Sequence, residues 1–352
     1  MSLPKHLSSS DLKWLEQPAP TNNIVVSSRT RLARNLSDQP FAPHANPSDL
    51  SEIDDQIREA IDQNPFFKSF TRVELSESTA SERAFLKEAR LISKEMERGG
   101  ANRAVYVNQD LKCSIMVNEE DHLRMQRLEP GLQISQAQLQ LDEVDRETAK
   151  VLPLAFHDHF GFLTACPTNV GTGLRASVMM HLPGLAFRRE IEAAFRDLPS
   201  KGLTVRGFQG ENSEGLGDFY QISNEVTLGK SVAEIEQHLD EAVSAIIARE
   251  REARSLLLTH GGMTVTDAIW RSFGILANAR RMESAEAMKL LSRLRLGIDA
   301  GFFDNLSHEK FNRLVVEIQP GHLHYRHGAA EDAEQRDIAR ADLIRRALVT
   351  KT

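Results

Sequence analysis

Apolar residues along this chain change their spacing several times, and each change predicts an element. "NNIVVSSRTRLARNL" (22–36) starts as an apolar strand and then turns basic. In "SDLSEIDDQIREAIDQN" (48–64), Leu50, Ile53, Ile57 and Ile61 recur at three and four residues. That spacing predicts a helix, with Ser48 as its N-cap. "SERAFLKEARLISKEMER" (81–98) predicts a second helix, stopped by Gly99-Gly100. Strand-like runs follow at Val105 to Val107 and Cys113 to Val117, and "PGLQISQAQLQLDEVDRETAKVL" (130–152) is helical after Pro130. "FGFLTAC", "RASVMMHLP" and "TVRGFQG" predict three further strands, and "GDFYQISNEVTLG" two short ones around a turn. Strands linked by long helical stretches predict one mixed or antiparallel sheet packed by helices. A long amphipathic helix covers 231–261. Beyond Gly261-Gly262 the pattern is almost wholly helical, with period-3.6 apolar faces in "MTVTDAIWRSFGILANARRM", "SAEAMKLLSRLRLGIDAGF" and "AEQRDIARADLIRRALV". A domain boundary is expected near 255–262. Residues 1–22 read as a mobile lead-in with a short amphipathic piece around Trp14 and Leu15.

Composition narrows the class. A chain of 352 residues, 41% hydrophobic and 26% charged, has the balance of a soluble globular protein of two or three domains. The 43 basic and 50 acidic side chains give a formal charge of −7. That argues against a general nucleic-acid or membrane-surface binder, which needs a basic excess. Cys113 and Cys166 make no disulfide framework. The N-terminus lacks the apolar core of a signal peptide, and no apolar run approaches the ~18 residues of a spanning helix. A cytoplasmic location is expected.

Candidate chemistry concentrates in a few stretches. "GTGLRA" fits the dinucleotide pattern G-x-G-x-x-A, but the segment after it is β-branched and soon meets Pro183. A phosphate-binding turn needs a helix there, so a strand is the better reading. A P-loop is also absent, because "EVTLGKS" lacks the first glycine. Arg29 and Arg31, two apart on a strand, share a face. Arg124, Arg175 and Arg206 each sit beside small residues or at strand ends. Singly each is an ordinary surface arginine; together they would hold a triphosphate by bidentate bonds. "NEED" places Glu119, Glu120 and Asp121 at the end of an apolar strand, and "GENSEGLGD" places Glu211 and Glu214 in a glycine-rich loop suited to closing. Such carboxylates grip a cation, act as a general base, or simply face solvent. Cys113 reads as a buried apolar residue. Cys166, followed by Pro, Thr, Asn and Gly, reads as a candidate reactive thiol.

These stretches together resemble the ATP:guanidino phosphotransferases, the phosphagen kinase superfamily. "CPTNVGTGLRASV" resembles the family's cysteine signature, "NEEDHLR" its other signature, and "SSRTRLARNL" its nucleotide-binding arginine strand; the likeness spreads over roughly residues 22 to 255. Within the family the chain is most similar to the bacterial protein-arginine kinases. Only a short region precedes the sheet, and "RDIARA" (336–341) fits the R-D-x-x-R-A motif of a phosphoarginine-binding pocket.

The resemblance implies an α+β fold: a mostly antiparallel sheet flanked by helices, with a helical C-terminal domain. It implies a lead-in (1–21), a catalytic domain (22–255) and a regulatory, dimerising domain (256–352). It implies ATP, with Mg²⁺ arriving on it, held by Ser27, Ser28, Arg29, Thr30, Arg31, Arg90, Arg124, the stretch Arg175, Ala176, Ser177, Val178, Met179, and the stretch Arg206, Gly207, Phe208, Gln209, Gly210, Glu211. It implies catalysis by Glu120, Cys166 and a loop carboxylate, Glu211 or Glu214, with no protein-held metal. It implies phosphoarginine sensing by Arg336, Asp337, Arg340 and Ala341. The chain departs from the family pattern at Gln209, where small-molecule arginine kinases place an arginine, and at Arg90, where a histidine is usual.

The function implied is transfer of the γ-phosphoryl of ATP to arginine side chains of proteins, marking them for a ClpC-type protease. A homodimer and a zinc-binding activator protein are the expected partners, with no nucleic acid and no membrane. A kinase of a small free guanidino compound and a non-catalytic phosphoarginine reader are the alternatives.

Overall fold

The computed structural model describes residues 3, 7, 12–16, 19, 21–207, 216–260, 262–304, 306–328 and 332–349. Its centre is an eight-stranded sheet built from β1 (Val25–Arg34), β2 (Thr71–Glu74), β3 (Ala104–Val107), β4 (Cys113–Val117), β5 (Leu123–Pro130), β8 (Leu174–His181), β9 (Leu203–Gly207) and β10 (Phe219–Asn224). The strand order is β2-β3-β4-β5-β1-β8-β10-β9, and every neighbouring pair is antiparallel. A separate hairpin joins β6 (Phe156–His157) to β7 (Gly161–Phe162). The expectation of an α+β, mostly antiparallel architecture holds.

Both faces of the sheet are covered. One packs against the helices Pro47–Gln63, Ile134–Ala149 and Val232–His260, through a core that includes Ile57, Leu141, Val178 and Ile246. The other face meets the helix Ala80–Glu88, the residues around Trp14, and the C-terminal helices Gly262–Asn278, Ser284–Asp299, His308–Glu317, Pro320–His327 and Ala333–Val349. This second core runs unbroken from Leu3 and Trp14 through Phe85 to Leu291, Phe311 and Ile344. The lead-in is therefore packed where it is described: Leu3, Leu7, Leu12, Trp14 and Leu15 are all buried.

Several local expectations are corrected. Asn46, not Ser48, caps the first long helix: its side chain accepts from the amides of Ser48 and Asp49, and Pro47 takes the first helical position. The helix expected over 81–98 is two helices, Ala80–Glu88 and Lys94–Glu97, separated at Arg90, whose φ is +62°. The strand expected in "FGFLTAC" shrinks to the two residues of β7, and "GDFYQISNEVTLG" supplies one strand, β10, not two. Sequence reading passed over β5, which lies in the middle of the sheet, and the helices His308–Glu317 and Pro320–His327.

Candidate active site

Strand register assembles the site. Directly paired residues of antiparallel strands share a face, and faces alternate along each strand. Arg31 of β1 pairs with Gln126 of β5 and Arg175 of β8, while Ala33 pairs with Arg124. Arg29 pairs with Ser177, Met179 with Gln221 of β10, and Gln221 with Arg206 of β9. Residues from five separate stretches thus point the same way. Arg90 joins them from the helix break, its guanidinium 5.9 Å from the Trp14 ring.

Six guanidinium groups then face one another. Burial and the charges of Arg90, Arg124, Arg175 and Arg206 pull the Arg29 pKa down to about 9. Burial and the charges of Arg29, Arg124 and Arg175 push Arg31 well below its ordinary value, and burial brings Arg90 to about 10. Arg29 and Arg90 stay cationic at neutral pH. Among the described residues, Glu119 is the carboxylate ion-paired within this set, its two oxygens 2.7 and 2.6 Å from one nitrogen of Arg124. Arg29 also donates to Gln221 at 3.1 Å, and Arg175 to Ser223 at 3.3 Å. So much like charge on one concave surface calls for a polyanion. A cleft of about 740 Å³ offers it room. Arg29, Arg31, Arg90 and Arg206 line one part of it, and Val26, Met179, Phe219 and Val315 line its apolar part. Phosphates suit the first and a flat base the second.

The turn after β4 carries the carboxylates. Glu119 is buried and its carboxyl is held below the usual range by Arg124, with hydrogen bonds from Ser93 and the Glu120 amide, against the opposing effect of burial. Glu120 is exposed on the same turn. Partial burial and the neighbouring Asp121 raise its pKa, opposed by Arg124 and Arg175. Asp121 links this turn to the thiol loop: its Oδ1 accepts from the Ala165 amide at 2.7 Å and from Asn35 at 2.6 Å. One residue from Glu120 is therefore bonded to one residue from Cys166. Cys166 is half-buried, with its Sγ 3.0 Å from the Thr168 hydroxyl. Thr227 holds the loop from behind by donating to the carbonyls of Thr168 and Val170 at 2.8 and 2.7 Å. Cys113 behaves as an apolar residue, and burial pushes its thiol up to about 12.

Strand alternation divides the expected contact set. The side chains of Ser28, Thr30, Ala176 and Val178 are fully buried and turn to the opposite face from Arg29, Arg31 and Arg175. Ser28 instead bonds the chain before the helix Ile134–Ala149, donating to the Gly131 carbonyl and accepting from the Gln133 amide. Ser27, Ser177 and Met179 stay on the cleft face. Gly207 ends β9 and lines the cleft. Phe208, Gln209, Gly210, Glu211 and Glu214 lie outside the described residues.

Sequence reading singled out Glu119 only as a candidate carboxylate and missed the other residues that orient the site. Glu119 aims Arg124. Asn224 brackets Arg175, accepting from the Ala176 amide at 2.8 Å and donating to the Leu174 carbonyl at 2.9 Å. Asn35 and His122 pin the carboxylate turn: Asn35 accepts from the His122 amide at 2.9 Å, and His122 Nδ1 accepts from the Leu36 amide at 3.0 Å. The signal for Asn35 and His122 was their place inside the two motifs; Asn224 and Thr227 gave none.

The residues of the C-terminal motif do not themselves line the cleft. Arg340 is buried and donates to the carbonyls of Ile318 and Met282, both at 2.9 Å, and to Asp337 at 2.5 Å. Ala341 is buried beside it, while Arg336 and Asp337 are half-buried. No helix among the described residues is long and apolar enough to cross a membrane.

Comparison with known proteins gives these features relatives. The family model for the ATP:guanido phosphotransferase C-terminal catalytic domain matches residues 52–253. The model for the protein-arginine kinase McsB C-terminal domain matches residues 262–352. The chain is 41% identical over 351 residues to a protein-arginine kinase of Geobacillus sp. (strain WCH70), covering 99% of this chain and 97% of that protein. It is 39% identical over 350 residues to a protein-arginine kinase of Bacillus cereus (strain AH187), covering 99% of each. A solved lombricine kinase is similar with a TM-score of 0.59 and 25% identity, over 68% of this chain and 73% of that one. The duplicated taurocyamine kinase of Schistosoma mansoni with bound transition-state-analog components is similar in fold, with a TM-score of 0.59 and 24% identity over 79% of this chain and 41% of that one.

Proposed function

The chain belongs to the ATP:guanido phosphotransferases and, within them, to the protein-arginine kinases; from that premise we propose how its residues transfer a phosphoryl group from ATP to arginine side chains. The observation that carries the reading is the set of six guanidinium groups, two of them within electrostatic reach of Glu120, whose turn is bonded to the Cys166 loop. Arg29, Arg31, Arg90 and Arg206 hold the triphosphate, and the apolar part of the cleft takes the base. Mg²⁺ enters on the nucleotide and offsets phosphate charge.

The acceptor guanidinium has a pKa above about 12 and is a poor nucleophile until it loses a proton. Glu120 takes that proton; its raised pKa makes it a better base than an ordinary carboxylate. Cys166 contacts the acceptor nitrogens and helps to orient them. Glu211 or Glu214 completes a fork that fixes the guanidinium plane. The nitrogen–phosphorus bond forms as the bond from the γ-phosphorus to the bridging oxygen breaks, and ADP leaves. Charge spreads over the equatorial oxygens in this loose transition state. Arg124 and Arg175, within electrostatic reach of Glu120, stabilise it, and Glu119 and Asn224 keep both in place.

The wider setting is also our reading. The catalytic unit covers residues 22–255 and the regulatory unit 256–352, where Arg336, Asp337, Arg340 and Ala341 receive phosphoarginine. The enzyme works in the cytoplasm as a homodimer, with a zinc-binding activator, and marks proteins for a ClpC-type protease. The support is the resemblance of "RDIARA" and of the C-terminal region to that branch of the family.

Incubation with Mg-ATP and casein or free L-arginine, followed by mass spectrometry under neutral conditions, tests the reading. Phosphoarginine on casein, absent from free arginine and lost in Glu120→Ala, is the expected result. Phosphorylation of the free amino acid alone would replace it with a small-guanidine kinase.

A further inference from the structure

A second groove, of about 570 Å³, opens between the β6–β7 hairpin and the segment after β10. Its rim is apolar and bare: Phe156 is 56% exposed, Phe160 46% and Leu228 50%. Three such side chains around one groove are a patch that a soluble protein keeps for an interaction. Its base is rigid. Arg34 lies over the Phe162 ring at 3.5 Å, forks onto Asp145 at 2.9 and 2.7 Å, and donates to the Thr172 carbonyl at 3.0 Å. The phosphoryl-transfer reading gives these residues no task.

Both walls are fastened to the Cys166 loop. β7 leads through Leu163 and Thr164 into that loop, and Phe162 and Gly171 exchange backbone hydrogen bonds of 2.8 and 3.1 Å. Thr227, on the other wall, bonds the carbonyls of Thr168 and Val170. The segments touch backbone to backbone. A Cβ on Gly161 would lie 2.6 Å from the Gly171 carbonyl oxygen, and one on Gly171 would lie 3.0 Å from that of Thr227. The groove is thus continuous with the loop that presents the thiol.

The substrate class supplies the occupant. An arginine held at Cys166 keeps its own backbone within one side-chain length, roughly 6 Å. In a protein, the residues on either side of it must then run across this loop and onto whatever surface adjoins it. We propose that the groove binds the extended polypeptide flanking the target arginine, with an apolar substrate side chain against Phe156, Phe160 and Leu228. The enzyme then favours arginines in unfolded or extended segments with an apolar neighbour. This rests on reading Cys166 and Glu120 as the acceptor end of the site.

Steady-state kinetics on two acceptors test it: a blocked tripeptide with a central arginine, and a longer blocked peptide with the same arginine flanked by leucines. In Phe156→Ser/Phe160→Ser the KM for the longer peptide should rise about tenfold, with the tripeptide's kcat/KM and the KM for ATP unchanged. Leu228→Ser on the opposite wall should give a smaller rise of the same kind, which keeps the test decisive if the double variant does not fold. Equal losses on both acceptors, or no change on the longer one, would refute the groove. An altered sedimentation coefficient with unchanged peptide kinetics would assign it to self-association instead. Failure of the wild type to phosphorylate either peptide would count against the kinase reading, a separate result.

Discussion

Arginine does opposite work in two regions of this molecule. Where the helical C-terminal region meets the sheet, buried arginines are held by hydrogen bonds to the protein. Arg254 donates to Glu250 at 2.6 Å and to the carbonyls of His181 and Asn23 at 3.0 and 3.2 Å, and it also pairs with Asp299. Arg295 donates to Asn312 and to the Asn22 carbonyl. On the cleft face of the sheet the arginines crowd one another instead. Arg31 sits directly across from Arg175, a like-charge pair that weakens a sheet. The structural arginines Arg254 and Arg295 are buried, while the cleft arginines are half-buried. The difference is in their neighbours: carboxylates and carbonyls in one region, other arginines in the other.

The largest effect expected from that contrast is on stability. Arg254→Ala strands Glu250, whose two oxygens otherwise accept from Arg254 and from the amides of Gly184 and Leu185. Removing one partner of a buried pair costs about 3–5 kcal/mol. Urea denaturation should show the midpoint falling with an unchanged slope, while the KM for ATP of the folded fraction stays near wild type. Arg31→Met is the mirror image. Its guanidinium Nε makes no hydrogen bond, and no described carboxylate pairs with it. The kcat should fall by about 10²-fold, while the urea midpoint holds or rises as repulsion is relieved. A large stability loss in Arg31→Met would break the comparison.

Acid should separate activity from stability in the same turn. Glu119 and Glu120 are shifted in opposite directions from the usual 4.5. Glu120 must be ionised to accept a proton, so the rate falls as pH drops through its raised pKa. Glu119 has a depressed folded-state pKa. Its contribution to stability is complete above its unfolded pKa and is lost as pH falls through the lower folded value. On acidification the enzyme should therefore lose activity first and its Glu119–Arg124 bond later. A pH–rate profile beside urea midpoints over the same range reads both, and Glu120→Gln should remove the acid limb along with about 10²–10⁴ of the rate.

How much of this was legible in the sequence depends on the range of the signal. The arginines of β1 were readable because period-two spacing is local. The facing of the other residues was not, because alternate residues of "RASVM" point opposite ways and the stretch alone does not say which face meets the cleft. β5 was hidden because "LRMQRLEP" mixes charged and apolar residues; a central strand beside a polar cleft need not look apolar. The cap at Asn46 was obscured by Ser48 two residues on. The lead-in looked mobile because its leucines have no partners nearby in sequence; their partners lie near the other end of the chain. Asn224 and Thr227 act on residues about 50 positions away, and no local pattern reveals that.

The smallest expected effect is the sharpest test, because it sets stability and function against each other at one residue. Arg90 ends the helix Ala80–Glu88 in a left-handed conformation, with its amide donating to the Lys87 carbonyl and the Leu91 amide to that of Leu86, both at 2.9 Å. That is the helix-ending position where glycine is strongly preferred. A side chain there costs about 1 kcal/mol, and such strain persists where function holds it. Arg90→Gly should raise the unfolding free energy by about 1 kcal/mol and raise the KM for ATP by about 5–10-fold. Arg90→Ala should raise the KM equally without the gain in stability, since it keeps the strained backbone and removes the charge. If glycine stabilises the protein and leaves the KM unchanged, Arg90 belongs with the structural arginines, and the ring around the cleft shrinks to the five carried by the sheet.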